Sequence, residues 1–310
     1  MSQKKGRTAL AIMVGLGVLS FVIYSLFFSW GFAVLLIGSL VFHEYGHLWA
    51  AKRVGLQTKG IYLIPFVGGV ALSRGKPSSQ AAWVFVALAG PAFGLALAFV
   101  TAFAYVLTGW TTLAAAAWWM AILNLFNLVP IYPLDGGQVM HCIACSIPRP
   151  VGIAICGISV LLAGGLVFVV PFFLWLLIVW MAVNGFVDFA IGRPGRELQK
   201  RRLESWEWTL SWGLVSELDR LRICDLLDAG DGRISLDHVR NVPSVAELLP
   251  RVQAKIEELR EPPPLTGSGV AASVGAYGFL SVALAILFAF TVTVPGALES
   301  FFQIVGAPVQ

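Results

Sequence analysis

The sequence predicts an all-α polytopic membrane protein of about seven spans, with a small β-hairpin at the membrane surface and a helical cytosolic segment. Three observations predict it: the composition, the succession of long apolar runs, and the placement of the basic residues. Of the 310 residues, 58% are hydrophobic and 12% charged. Soluble domains carry about 25% charged residues. So few charges cannot cover a water-facing surface, and lipid is the main solvent.

A helix needs about 20 apolar residues to cross the hydrocarbon. Candidate spans lie at 9–28, 31–51, 81–108, 112–131, 151–165, 170–191 and 271–294. The first follows Lys4, Lys5 and Arg7, as a secretory signal would. Its apolar run is too long and has no small-residue cleavage site, so it reads as an uncleaved span. Between the fifth and sixth, Gly164-Gly165 and Pro171 supply turn chemistry without a polar loop.

With the N-terminus in the cytoplasm, the outer connections fall near 29–30, 109–111 and 166–169, followed by the tail after 294. None contains a Lys or Arg, and all 21 basic residues then face the cytoplasm. This asymmetry places the N-terminus inside and the C-terminus outside, in a multi-pass protein of the cell membrane. The net charge of +4 comes from these loop anchors and not from a patch, which argues against a nucleic-acid partner.

Two segments are not spans. Residues 60–72 are apolar but short and are interrupted by Pro65 and Gly68-Gly69, so they read as a hairpin or re-entrant strand pair. Residues 193–268 gather most of the charges and end in Pro262-Pro263-Pro264, as a tethered helical module would. In that module Trp206, Trp208 and Trp212 follow a basic cluster, which suits either the headgroup level or a packed helical core. The stretch around Asp231-Gly232 fails as a calcium loop, because Leu227, Ala229 and His238 occupy ligand positions. The chain therefore divides into 1–30 (N-terminal span), 31–147 (membrane core), 148–192 (two spans), 193–268 (cytosolic module) and 269–310 (C-terminal span and outer tail). Cys142, Cys145, Cys156 and Cys224 imply no disulfide framework. His141 beside the cysteine pair reads as a polar residue at a helix start.

The chemistry is concentrated in two motifs. Before Asp188 the only acids are Glu44 and Asp135, and the only histidines are His43, His47 and His141. Ionisable groups within spans are costly and mark function by default. His43-Glu44-Tyr45-Gly46-His47 puts two imidazoles at i and i+4 on one helical face, where both reach one metal ion. Glu44 is turned away from that pair, placed to hold the attacking water as a base. The second motif runs from Asn127 through Pro130 and Pro133 to Leu134-Asp135-Gly136-Gly137. The prolines break the helix and the glycines permit unusual turns, presenting Asp135 on irregular backbone as a third ligand. A helix cap is the plainer role for Asp135.

The pair His43-Glu44-x-x-His47 and Asn127-x-x-Pro130 leading to Leu134-Asp135-Gly136 resembles the site-2 protease family of intramembrane metalloproteases. Ala89-Gly90-Pro91 resembles a further signature of that family, and Gly94 departs from it where many relatives carry an asparagine. The resemblance covers roughly residues 30–140. It implies a core of spans two to four holding one zinc through His43, His47 and Asp135, with Glu44 as base and Asn127 as a candidate oxyanion donor. It also implies membrane-protein substrates, whose unwound strand pairs with the hairpin at 60–72. Prenyl-protein proteases share His-Glu-x-x-His but take a downstream Glu as third ligand, which the Asp135 motif opposes. An ion or metal transporter would not need the adjacent Glu44. An inactive membrane chaperone or binding protein would be expected to have lost one of the four residues.

Overall fold

Large apolar side chains cover the outside of the long helices and small ones line their contacts, as expected of helices solvated by lipid. In α3 (Gln80–Thr108), Phe99, Val100, Phe103, Val106 and Leu107 are exposed, whereas Ala87, Ala98 and Ala102 are buried. The computed structural model describes residues 2–66, 68–165, 172–211, 215–228 and 243–306. They form two compact units, one of Met1–Gly185 with Pro262–Gln310, the other of Phe186–Glu261.

The first unit opens with α1 (Ser2–Phe27) and α2 (Trp30–Arg53). The hairpin strands β1 (Gln57–Ile64) and β2 (Gly68–Arg74) follow, then α3, α4 (Thr111–Asn127), α5 (Asp135–Ala144), α6 (Arg149–Gly165) and α7 (Phe172–Val187). Among the described residues, four helices are long and apolar enough to cross a membrane: α1 over Leu10–Phe27, α2, α3 and the C-terminal Gly267–Val292. This is the architecture of an integral membrane protein. Helices α4, α6 and α7 occupy the places of the other expected spans, but at 17, 17 and 16 residues they fall short of a full crossing length. Residues 166–169 lie outside the described residues.

Strands β1 and β2 pair antiparallel with Ile61 opposite Ala71. Extra backbone at Lys59 bulges the first strand, where Gly60 takes φ 124°. The turn is anchored on α1: the Phe66 N–H donates to the Tyr24 hydroxyl at 2.8 Å, and the Phe66 ring packs edge-on against Tyr24 and Phe27. Anchoring a two-stranded hairpin on a helix supplies the tertiary support that such a hairpin lacks alone.

The second unit contains a π-helical turn, Asp188–Gly192, then α8 (Arg193–Ser211), α9 (Glu217–Asp228) and α10 (Val245–Leu259). Leu203, Leu210, Ile223, Cys224, Leu248, Val252 and Leu259 form its core. Ser244 and Glu247 close a reciprocal capping box at the start of α10. Of the three tryptophans, Trp206 packs on this core, Trp208 is exposed, and Trp212 lies outside the described residues, as do Asp231, Gly232 and His238.

The chain returns to the first unit through α11 (Gly267–Val292) and ends in α12 (Ala297–Val305). Helices α3, α4, α5 and α11 share one core, which includes Leu88, Ala121, Val139, Ile143, Leu280 and Leu284. Residues 297–305 form a packed helix: Phe301 stacks on Trp119 and meets Trp118 and Phe32 edge-on. The N-capping Ser29 of α2 hydrogen-bonds the Ile304 carbonyl. No cysteine among the described residues is in a disulfide.

Leu248 is wholly buried in the second unit. Its replacement by alanine should cost that unit about 2–5 kcal/mol. Hydrogen exchange on the full-length protein should then show faster exchange across α8–α10, with α2–α5 unchanged.

Candidate metal centre

Helix α2 carries His43, Glu44 and His47, with His43 and Glu44 buried among α3, α4 and the hairpin. One helical turn separates the two imidazoles, whose Nε2 atoms are 3.1 Å apart. The other ring nitrogens are each engaged. His43 Nδ1 lies 2.8 Å from Asn124 Oδ1 on α4, and His47 Nδ1 lies 2.8 Å from the Val86 carbonyl on α3. Asn124 donates from Nδ2 to the Met120 carbonyl at 2.7 Å, which fixes its oxygen toward His43. Both accepting atoms are oxygens, so each imidazole donates from Nδ1 and presents Nε2 as the nitrogen that a metal would take.

Asp135 faces these two nitrogens. Its Oδ2 is 3.1 Å from His43 Nε2 and its Oδ1 is 3.3 Å from His47 Nε2. Oδ2 is buried and has no hydrogen-bond partner among the described residues. Two imidazole nitrogens and a carboxylate facing one another are a donor set for a divalent cation. The nitrogen-and-oxygen composition fits zinc.

Local sequence explains how these groups meet. Pro130 and Pro133 follow the end of α4, and α5 begins at Asp135 with its N-terminal dipole favouring the carboxylate. The backbone at Asp135 is therefore helical, the irregular stretch ending one residue earlier. Leu134 holds the cap position, so Asp135 is not the helix cap. Gly136 and Gly137 take no left-handed conformation. They are needed for space, since a side chain at Gly136 would run into Leu128 and Val129, and one at Gly137 into Ile131 and Tyr132. The Leu128 carbonyl accepts the Tyr277 hydroxyl of α11 at 2.5 Å, which pins this turn.

On α3, a methyl group at Gly90 would overlap His47 Nε2 and lie 2.8 Å from His43 Nε2. On α2, one at Gly46 would lie 2.5 Å from the Ala89 carbonyl oxygen. These glycines let α2 and α3 approach closely enough for backbone to form one wall of the centre. On the far side, the Ala71 N–H of β2 donates to Glu44 Oε2 at 2.9 Å, and Gly69 leaves room for the Glu44 stem. The open edge of the hairpin therefore meets the carboxylate.

The sequence-predicted residues His43, Glu44, His47 and Asp135 are thus brought together. Asn127 is the last residue of α4, partly buried, and its side chain makes no hydrogen bond among the described residues. One turn earlier, Asn124 holds His43; sequence reasoning passed over it, although a buried amide in an alanine-rich helix was a signal in itself. His141 sits in the last turn of α5 and not at a helix start; its ring lies 5.7 Å from that of Tyr132.

Gly90→Ala should abolish zinc loading while leaving expression and helical content intact, since the added methyl group occupies the ligand space. Metal analysis of the purified variant beside wild type checks this; a full equivalent of zinc in the variant would contradict the geometry.

Comparisons with known proteins agree with this reading. Residues 31–110 match the model of peptidase family M50. Rip3 of Mycobacterium tuberculosis, named as a zinc metalloprotease, is 41% identical over 119 residues, 36% of this chain and 30% of its own. Zinc metalloprotease MJ0392 of Methanocaldococcus jannaschii is 32% identical over 139 residues, 43% of this chain and 39% of its own. A Synechocystis protein also named as a zinc metalloprotease, sll0528, is 35% identical over 120 residues, 37% of this chain and 31% of its own. The chain spans about a third of the length of each of these relatives. Residues 31–110, which carry the histidine pair and the glycine-lined wall of the centre, are thus similar to peptidase family M50.

Proposed function

We propose that this protein is a zinc metalloendopeptidase that hydrolyses peptide bonds in or beside the membrane-spanning segments of membrane-protein substrates. The observation that carries the proposal is the convergence of His43, His47 and Asp135 beside Glu44, at the open edge of a hairpin. In this reading His43, His47 and Asp135 hold one zinc. When bound, zinc supplies Lewis-acid polarisation of the attacking water and the scissile carbonyl. Glu44 accepts the water's proton during attack and passes it to the leaving amine. Asn127 offers an amide to the developing oxyanion once substrate is present.

The open edge of β2 supports the route by which substrate arrives. A substrate helix hides its peptide bonds and must unwind before attack. An extended strand added to β2 would replace the bond from Ala71 N–H to Glu44 with a ladder bond. Docking would then free a Glu44 oxygen to take a proton at the moment a peptide bond is presented.

The bilayer arrangement also belongs to this proposal. Helices α4, α6 and α7 complete about seven crossings, α4 and α6 covering ~26 Å each at 1.5 Å per residue. The N-terminus is cytoplasmic, the C-terminus outside, and the membrane is the cell membrane. His43 then lies ~13 Å along the helix from the cytosolic anchor Lys52, inside the hydrocarbon and reached by water through a protein-lined path. Residues 193–268 are a cytosolic module.

The deciding experiment is cleavage of a membrane-helix reporter by purified, detergent-solubilised protein, with zinc content measured alongside. Glu44→Gln should keep the zinc and lose cleavage by at least about a thousandfold, as base and orienting group are removed together. Zinc bound without cleavage by either protein, across reporters of varied sequence, would favour a binding protein over a protease. Two further variants test the finer assignments. Asn127→Ala should lower turnover by about 100-fold with zinc retained, and a rate within about twofold of wild type would remove Asn127 from the chemistry. Ala71→Pro deletes the edge donor and should raise KM for the reporter with zinc content unchanged; unaltered kinetics would sink the strand-addition route.

A further inference from the structure

We infer that Asn124 is the positioning residue of this centre, and that Gly94 is the space its amide requires. The inference rests on the reading of His43 as a metal ligand and adds what holds that ligand. Asn124 is 1% exposed and continues a buried seam of Ala114, Ala117 and Ala121 on α4. A polar group on that seam must find partners, because an unpaired amide is costly where no water reaches. It finds two: the Met120 carbonyl takes its Nδ2–H, and its Oδ1 takes the Nδ1–H of His43.

These two bonds act in series. The Met120 bond decides which end of the amide faces α2, and the oxygen then decides which nitrogen of His43 carries the proton. With the amide turned over, an N–H would meet Nδ1, His43 would keep its proton on Nε2, and the ligand lone pair would be lost. Ligating histidines depend on such partners for both tautomer and ring orientation. His47 has its partner in a backbone carbonyl, which no side-chain substitution removes. His43 depends on a side chain from a helix 81 residues away in sequence.

Gly94 completes the arrangement from α3. A Cβ placed there would fall among Oδ1, Cγ and Nδ2 of Asn124. No other residue at 94 is compatible with the amide where it stands. The geometry also implies that the two positions are exchangeable: an asparagine on α3 with a small residue on α4 would deliver an amide into the same volume.

The test uses the full-length protein stripped of metal, with zinc affinity measured by competition against a chromogenic chelator and the ligand field read from the spectrum of the cobalt-substituted protein. Asn124→Leu keeps the shape without the acceptor and should weaken zinc by roughly 10–100-fold, with an altered cobalt spectrum. Asn124→Asp keeps an acceptor and should stay within about threefold of wild type, because carboxylates orient ligating histidines well. The exchange Gly94→Asn with Asn124→Ala should recover most of the affinity that Asn124→Ala alone loses. Wild-type affinity and spectrum in Asn124→Leu would overturn the assignment. Equal weakening in Asn124→Leu and Asn124→Asp would overturn it too, since shape and not the acceptor would then matter. Wild type that binds zinc tightly but cleaves nothing would defeat the protease reading and leave this one standing; wild type that binds no zinc would end both.

Discussion

The membrane core is arranged around two imidazole nitrogens and a carboxylate that face one another. His43 and His47 point their Nε2 atoms at the same place, and Asp135 points a carboxylate at both. In an apolar interior such a cluster repels itself and is poorly solvated, so it persists only when a cation neutralises it or when the scaffold enforces it. Here the scaffold is visible. The Val86 carbonyl and Asn124 hold the rings from behind, and the glycine-lined start of α5 leaves Asp135 nowhere else to go.

The same constraint accounts for the contacts between helices. Lipid gives no hydrophobic drive for helices to associate, so close packing of small residues does that work. Gly46, Gly90 and Gly94 lie along the α2–α3–α4 contact, and each is occupied by a neighbour's backbone or by a group of the centre. The glycines that bring the helices together are thus the ones that size the cavity for its ligands. Packing and chemistry cannot be varied separately at these positions.

Much of this was legible from the sequence, for reasons that differ by residue. His43, Glu44 and His47 obey a helical spacing that can be read without a partner. Asp135 stood out because prolines and glycines bracket an acid within an apolar stretch. The hairpin was legible from a run too short to cross and broken by Pro65 and Gly68-Gly69. Asn124 obeys no spacing rule, since its partner lies on another helix, and the role of Gly94 as empty volume has meaning only once that helix is in place. Gly136 and Gly137 were noticed for conformational freedom when their use is close approach. The span count was not decided by composition alone, because no polar loop separates the fifth and sixth apolar runs and α4, α6 and α7 fall short of a full crossing length.

The hydrogen bond from Tyr277 to the Leu128 carbonyl has a consequence for when the centre can exist. The turn that delivers Asp135 is pinned by a helix encoded almost 150 residues later, and the shared core of α3, α4 and α5 includes Leu280 and Leu284 of that same helix. During synthesis, α2 through α5 enter the membrane long before α11 is made. The growing chain carries its histidines and its acid for most of that time without the element that locks them together. The ligand cluster therefore reaches its final packing only after the last long helix among the described residues has been made.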